Sequence, residues 1–262
     1  MKHYLHLAMA ALAAVGFSGA AAADDSDLAQ KLSNPVSDLI SVPFQFNYDN
    51  DIGPADGSRW QMNFQPVVPI SLNSNWNVIS RTIVPLVAAD GIVPGTSPSG
   101  VGNILQSFFF SPKQPTKGGL IWGAGPAFNL PTSNNPQFGP DQFAAGVTGV
   151  ALKVNKRWTF GVLANQLWSV GGSTDISNLY VQPFAAYTTP KAWTFTLNSE
   201  SNYNWLNDEA SVPFNFVVSK LVRLGGKQPV SIGAGARYWA KSAPTDPEGW
   251  GFRFIVTFLY PK

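Results

Sequence analysis

Large apolar and polar side chains alternate with a period of two residues through most of the chain after residue 39. The clearest runs are 42–49, 58–65 and 193–205, where Phe, Tyr, Trp or Met takes one parity and Asn, Gln, Thr or a charge takes the other. Successive side chains of a strand point to opposite faces of the sheet, so these runs predict strands with one apolar and one polar face. Two further runs, 102–111 and 142–154, alternate poorly.

Turn residues separate runs of this kind along the whole chain. We predict twelve strands, at 40–49, 58–70, 76–87, 102–111, 119–130, 142–154, 157–169, 178–189, 192–206, 210–223, 228–240 and 249–260. An even number of alternating segments of about ten residues is typical of a transmembrane β-barrel. The predicted fold is therefore all-β: a transmembrane antiparallel up-and-down β-barrel of about 12 strands over 39–262, with a short helical segment before it. The soluble alternative, a β-sandwich or jelly roll, would have to bury the aromatic parity.

The connections between the predicted strands sort by charge and length. The even-numbered ones are short and carry bases without acids, namely Lys113, Lys117, Lys156, Arg157, Lys191 and Lys227; the odd-numbered ones carry acids and one base, Lys241. The tryptophans form two groups: Trp76, Trp122, Trp158 and Trp193 near one rim, and Trp60, Trp168, Trp205, Trp239 and Trp250 near the other. This placement predicts two aromatic girdles at membrane–water interfaces, with short turns on the periplasmic side.

The first 38 residues form two pieces that do not continue this pattern. Residues 1–23 have a basic start, an apolar stretch and small residues before Asp24, which predicts a signal peptide cleaved near Ala23; a membrane anchor is the alternative. In 24–38, acids precede a stripe of Leu28, Leu32 and Val36, which predicts a short amphipathic helix. This segment is either a periplasmic tail packed on the barrel mouth or a plug in the lumen.

The scarcity of Cys and His in the chain excludes several kinds of catalysis and metal binding. There is no Cys, and the two histidines, His3 and His6, fall in the predicted signal peptide. Ser-His and Cys-His catalysis and His-ligated zinc are therefore excluded from the mature chain. Glu200 is the one acid in the middle of a strand-like run, so paired-carboxylate catalysis is disfavoured. We predict no enzyme, catalytic residue, metal or cofactor, and, with a net charge of +2 and no basic patch, no nucleic-acid partner.

The polar parity of the predicted strands would line the barrel interior. Its candidate pore-lining residues are Arg59, Arg81, Glu200, Arg237, Arg253, Gln45, Asn63, Gln65, Asn77, Gln182 and Asn198. One hypothesis is that the arginines pair with Glu200 and Asp49 and close a narrow barrel. The other is a positive constriction that steers anions through a pore. The inward parity also holds Leu105, Phe109, Phe143, Leu163 and Phe184, which would offer an apolar path, and glycines including Gly149.

Several stretches resemble a group of bacterial outer-membrane barrels. They are 32–36, 39–49, 79–85, 103–112, 235–239 and 249–254, with sequences such as Ile79-Ser80-Arg81-Thr82-Ile83-Val84-Pro85 and Gly235-Ala236-Arg237-Tyr238-Trp239. The group is that of outer-membrane transporters related to the barrels encoded with phenol meta-cleavage pathways, sometimes misnamed neuromedin U. The resemblance covers essentially the whole mature chain. It implies a barrel and an outer-membrane location. The partners we expect are outer-membrane lipids, lipopolysaccharide, the barrel-insertion machinery and a small-molecule solute.

The function predicted from the sequence is a porin-like channel or transporter in the outer membrane of a Gram-negative envelope. It would pass small anionic, aromatic or apolar solutes passively through a narrow lumen lined by Arg, Asn and Gln. The alternative is a closed structural or adhesion barrel without transport.

Overall fold

The computed structural model describes residues 25–261, so the predicted signal peptide lies outside the described residues. One helix, α1 (Asp25–Leu32), precedes the strands. The strand segments are β1 (Ile40–Ile52), β2 (Gly57–Phe64), β3 (Val67–Ser71), β4 (Trp76–Asp90), β5 (Ser99–Val101), β6 (Ile104–Pro112), β7 (Leu120–Leu130), β8 (Ala144–Asn155), β9 (Trp158–Ser169), β10 (Ser177–Thr188), β11 (Trp193–Ser199), β12 (Ser201–Asn204), β13 (Glu209–Leu224), β14 (Gln228–Lys241) and β15 (Gly249–Tyr260).

These segments form a closed antiparallel barrel of 12 strands, which confirms the predicted fold class. Three barrel strands each consist of two segments, β2 with β3, β5 with β6, and β11 with β12, which share their neighbours in the sheet. Consecutive strands pair along the chain, and β1 pairs with β15 from Ile40↔Tyr260 to Tyr48↔Phe252, which closes the ring. Closure leaves no unpaired sheet edge, as a barrel in lipid requires.

The two parities of the strands take the two faces of the barrel wall. Asn47 lies opposite Arg253 on the inward face, and Phe46 opposite Phe254 on the outward face, where their rings are 6.2 Å apart. The outward face is aromatic and aliphatic through most of the ring, so the apolar alternation of the sequence became the surface that lipid covers. The polar alternation became the lining of the lumen.

The connections define two different ends of the barrel. We call the end with the short connections 72–75, 113–119, 156–157, 189–192 and 225–227 the turn rim. The other end, with 53–56, 91–98, 131–143, 170–176, 205–208 and 242–248, is the loop rim. Outward aromatic pairs mark the loop rim, such as Tyr48 with Trp60 at 4.8 Å and Tyr238 with Trp250 at 4.9 Å between ring centroids.

Trp239 corrects the predicted outer girdle. Its side chain points into the barrel and is buried, with 9% exposure, whereas Trp250 on the outward face is 66% exposed. The register explains the difference: Asn215 pairs with Arg237 on the inward face, and Trp239 shares the parity of Arg237. A tryptophan near a rim therefore belongs to the girdle only when its parity is also outward.

Helix α1 is seated in the mouth of the barrel at the turn rim. Leu28 and Ala29 are buried against Leu39, Leu221 and Leu259. The remainder of the N-terminal segment, residues 33–39, then leads into β1. Leu28 and Leu32 of the predicted stripe thus form the face by which the helix packs on inward side chains, whereas Val36 lies beyond the end of α1. Among residues 25–261, no helix is long and apolar enough to cross a membrane.

Candidate functional site

The barrel lumen collects the polar side chains that the sequence singled out. The strand registers place nine of the candidate lining residues on the inward side of the wall: Gln45, Arg59, Asn63, Asn77, Arg81, Gln182, Asn198, Arg237 and Arg253. The other two, Gln65 and Glu200, lie between strand segments and line a cavity of the lumen. Glu200 lies at the junction of β11 and β12, where the strand is interrupted. The charged members of this set fall into three separate groups.

The first group is a two-pronged ion pair between Arg253 and Glu200. Nη1 and Nη2 of Arg253 donate to Oε1 and Oε2 of Glu200 at 2.7 and 2.6 Å. Nε of Arg253 donates to Oδ1 of Asn47 at 2.7 Å. The planar guanidinium matches the carboxylate in this fork geometry, and the pair joins β15 to the β11–β12 junction across the two strands between them.

The second group surrounds the buried carboxylate of Asp49. Its oxygens lie 3.4 Å from Nη1 of Arg237 and 3.7 Å from Nη2 of Arg59, and the indole Nε1 of Trp239 donates to it at 3.0 Å. The guanidinium of Arg237 also lies over the Trp239 ring, 5.1 Å from its centroid. The Nε groups of Arg59 and Arg237 are buried without a hydrogen-bond partner in the described chain. The single carboxylate of Asp49 therefore forms ion pairs with two arginines.

The third group is Arg81, which has no carboxylate partner. Its Nη2 donates to Oε1 of Gln65 at 3.1 Å, and no ion pair to it is formed within the described residues. The hypothesis of cross-lumen ion pairs thus fits Arg237 and Arg253 but is wrong for Arg81. Four arginines face two carboxylates, so this part of the lumen carries an excess of positive charge.

An apolar cluster lines the lumen on β4, β6, β8 and β9. It consists of Val36 from the N-terminal segment and the inward residues Ile79, Phe109, Val150, Leu152 and Leu163, with Tyr180 and Phe184 packed against it. Leu105 also faces inward, opposite Asn129. Val36 is therefore buried inside the barrel rather than outside its mouth.

Two residues predicted to face the lumen face outward. Phe143 stacks on the outward ring of Phe128 at 6.3 Å and 16°, and Gly149 lies opposite the outward Ala124. Both fall in or next to β8, where the sequence alternates poorly and small apolar residues occupy both faces. The pattern there could not assign parity, and the neighbouring strands set it instead.

Two cavities lie between the N-terminal segment and the charged groups. The larger, about 240 Å³, reaches from Leu32 and Pro35 to the Arg253–Glu200 pair. The smaller, about 170 Å³, is lined by Arg81, Gln65, Gln182, Leu163 and Val67 and by the N-terminal segment. Both also touch Pro43 and Gln65, so they are neighbours along the lumen. Spaces of this size hold several waters or one small organic molecule.

The pattern missed two inward residues that shape this site. Trp239 donates a hydrogen bond to Asp49. Its position near a rim predicts a girdle residue, but its parity matches that of the inward Arg237. Tyr180 shares the inward parity of Gln182 and Phe184, and it pairs with the inward Asn165. Parity relative to an arginine was the signal that would have identified the tryptophan.

Comparisons with known proteins find the fold but no sequence relative. No protein-family model matches the chain, and no curated protein matches it. Among solved structures, an outer-membrane channel from Pseudomonas putida F1 aligns with a TM-score of 0.63 at 13% identity, over 85% of this chain and 95% of that one. The outer-membrane phospholipase A of Escherichia coli aligns with a TM-score of 0.53 at 11% identity, over 86% and 98% of the two chains. At these identities the likeness is one of fold.

Proposed function

We propose that this protein is an outer-membrane channel that passes small molecules through a narrow lumen closed at rest by its N-terminal segment. The observation that carries the proposal is the pair of cavities inside a closed barrel, lined by amides and by an uncompensated arginine. A barrel whose only task was structural would gain from filling that space. The N-terminal segment closes the lumen at the turn rim, and the ion pairs of Arg253 and Asp49 narrow it further along.

Location and partners follow from the surface of the barrel. The outward apolar belt with aromatic pairs at the loop rim fits a lipid bilayer, and the short turns and longer loops fit an outer membrane with the turn rim towards the periplasm. Outer-membrane lipids and lipopolysaccharide would cover the belt, and the barrel-insertion machinery would place it. The likeness to the Pseudomonas putida channel agrees with this role.

The fold alone does not separate a channel from an enzyme, because the outer-membrane phospholipase A shares it. The histidines of this chain are His3 and His6, both within the predicted signal peptide. A Ser-His hydrolase mechanism therefore has no base in the mature chain. We accordingly propose no catalytic role for Glu200 or Asp49, whose contacts in the described chain are to arginines and, for Asp49, Trp239.

The second candidate is a closed structural barrel. It is favoured by one observation, the apolar cluster in which Val36 packs against Phe109 and Leu163 and fills one side of the lumen. In that case the N-terminal segment would be a permanent part of the core. The two candidates differ in whether the barrel conducts once this segment is removed.

Single-channel recording of the refolded mature protein in a planar bilayer separates them. We expect small, infrequent, anion-preferring openings for the intact protein and larger, sustained ones for a variant without residues 25–37. Arg81→Glu in the shortened barrel should reduce or reverse the anion preference, because it replaces the uncompensated positive charge. Absence of conductance from both folded forms, with folding verified by heat-modifiable gel mobility, would leave the closed barrel as the function.

A further inference from the structure

We infer that the smaller cavity is a binding site for a small organic monoanion with an apolar body of about one six-membered ring, held by Arg81 through its carboxylate or equivalent group. The inference rests on the proposed channel function, since it names the class of solute for which the lumen has a site. Three features of the cavity support this inference: its charge, its size and the presence of both polar and apolar groups in its wall.

The charge is that of a guanidinium with no carboxylate within ion-pair distance in the described chain, since Glu200 acts on it only from farther away. An arginine side chain in a protein is always charged, so a buried guanidinium needs water or an anion nearby. The other three lumen arginines lie beside Asp49 or Glu200, whereas Arg81 has a single hydrogen bond in the described chain, to the neutral amide of Gln65. A carboxylate that enters the cavity would accept hydrogen bonds from Arg81, as the carboxylate of Glu200 does from Arg253.

The size of the cavity limits the ligand to one ring. Its volume is about 170 Å³, and an apolar cavity of about 150 Å³ is known to hold benzene. A ring of that size fits between the walls when the charged group extends towards Arg81. A disaccharide or a long acyl chain would not fit there while the N-terminal segment is in place.

The wall around the cavity offers both the polar and the apolar groups that an amphipathic anion requires. Gln65 accepts a hydrogen bond from Arg81, and Gln182 lines the same cavity, so both amides have N–H groups to donate. Asn34, Ser37 and Ser41 add further polar groups to the lining. Val67 and Leu163 form the apolar part on the barrel, and Leu32 and Pro35 complete it from the N-terminal segment. The ligand would therefore touch both the barrel wall and the segment that closes the lumen, so occupancy and closure are coupled.

The test is a calorimetric titration of benzoate, benzamide and cyclohexanecarboxylate into the full mature protein in detergent. The two carboxylates should bind at least about tenfold more tightly than benzamide, because a hydrogen-bonded charge contributes more than a neutral amide of the same shape. Arg81→Gln should abolish this preference, and Arg81→Lys should keep part of it. The matched control is Arg157→Gln, an arginine of the turn rim that does not line this cavity; it should leave both affinities within about twofold.

Each outcome decides the inference separately from the channel proposal. Equal binding of benzoate and benzamide, no binding of either carboxylate, or a preference that survives Arg81→Gln in a barrel with unchanged heat-modifiable mobility overturns the site. Conductance is recorded on the same preparations. A barrel that conducts without binding benzoate refutes the site alone, and one that binds benzoate through Arg81 without conducting refutes the channel alone.

Discussion

Glu200→Ala is expected to lower the free energy of unfolding of the barrel by about 3 kcal/mol, the lower end of the range for removing one partner of a buried ion pair. Arg253 is 1% exposed and would keep its charge with only Asn47 as a partner. The adjoining cavity of about 240 Å³ is the reason for the lower end, because water that enters it hydrates part of the guanidinium.

This effect is measured by unfolding the barrel in lipid vesicles with guanidinium chloride and following tryptophan fluorescence. Gln45→Ala is the matched control, because Gln45 lines the same cavity and its side chain forms no hydrogen bond in the described chain. This substitution should lower the free energy of unfolding by less than about 1 kcal/mol. The double variant Glu200→Leu with Arg253→Met should recover most of the loss, since it removes both charges together. A Glu200→Ala barrel as stable as the Gln45→Ala barrel would show that the ion pair contributes nothing.

The same ion pair shows where sequence reasoning succeeds and where it stops. Alternation places Glu200 and Arg253 on the polar parity, because parity is a local property of each strand. Their contact depends on the stagger of four neighbouring strands, which no local pattern encodes. Arg81 has the same parity and residue type as Arg253 and yet meets no carboxylate. The sequence therefore predicted the strands of the barrel, but not which lumen arginines lie beside a carboxylate.

The N-terminal segment is a second case of this limit. Its acids and its leucine stripe predicted an amphipathic helix, and α1 is that helix. Whether the stripe packed on a rim or entered the lumen depended on the width of the barrel mouth, which is set by strand number and shear. The burial of Val36 among Ile79, Phe109 and Leu163 shows that the mouth is wide enough to admit the chain.

Leu28→Asp is expected to release α1 and to raise the open probability of the channel at least about tenfold, the factor that corresponds to 1.4 kcal/mol of lost packing. Leu28 is 1% exposed and packs on Leu39, Leu221 and Leu259. Truncating a leucine buried to this degree typically costs about 2–5 kcal/mol, and an ionised carboxylate in the same place costs more. The ion pair of Asp25 with Arg223, at 2.8 Å and partly exposed, offsets little of that loss.

Single-channel recordings of Leu28→Asp and of the neighbouring control Asp27→Asn distinguish release of the helix from a general change of charge at the mouth. Asp27 lies on the exposed side of the same helix, so its variant should conduct like the intact protein. Because Val36 packs separately from Leu28, releasing the helix alone should give openings smaller than those of the barrel without residues 25–37. If Leu28→Asp stayed as closed as the intact protein while that shortened barrel conducted, the closure would reside in residues 33–37, and α1 would serve only to anchor them.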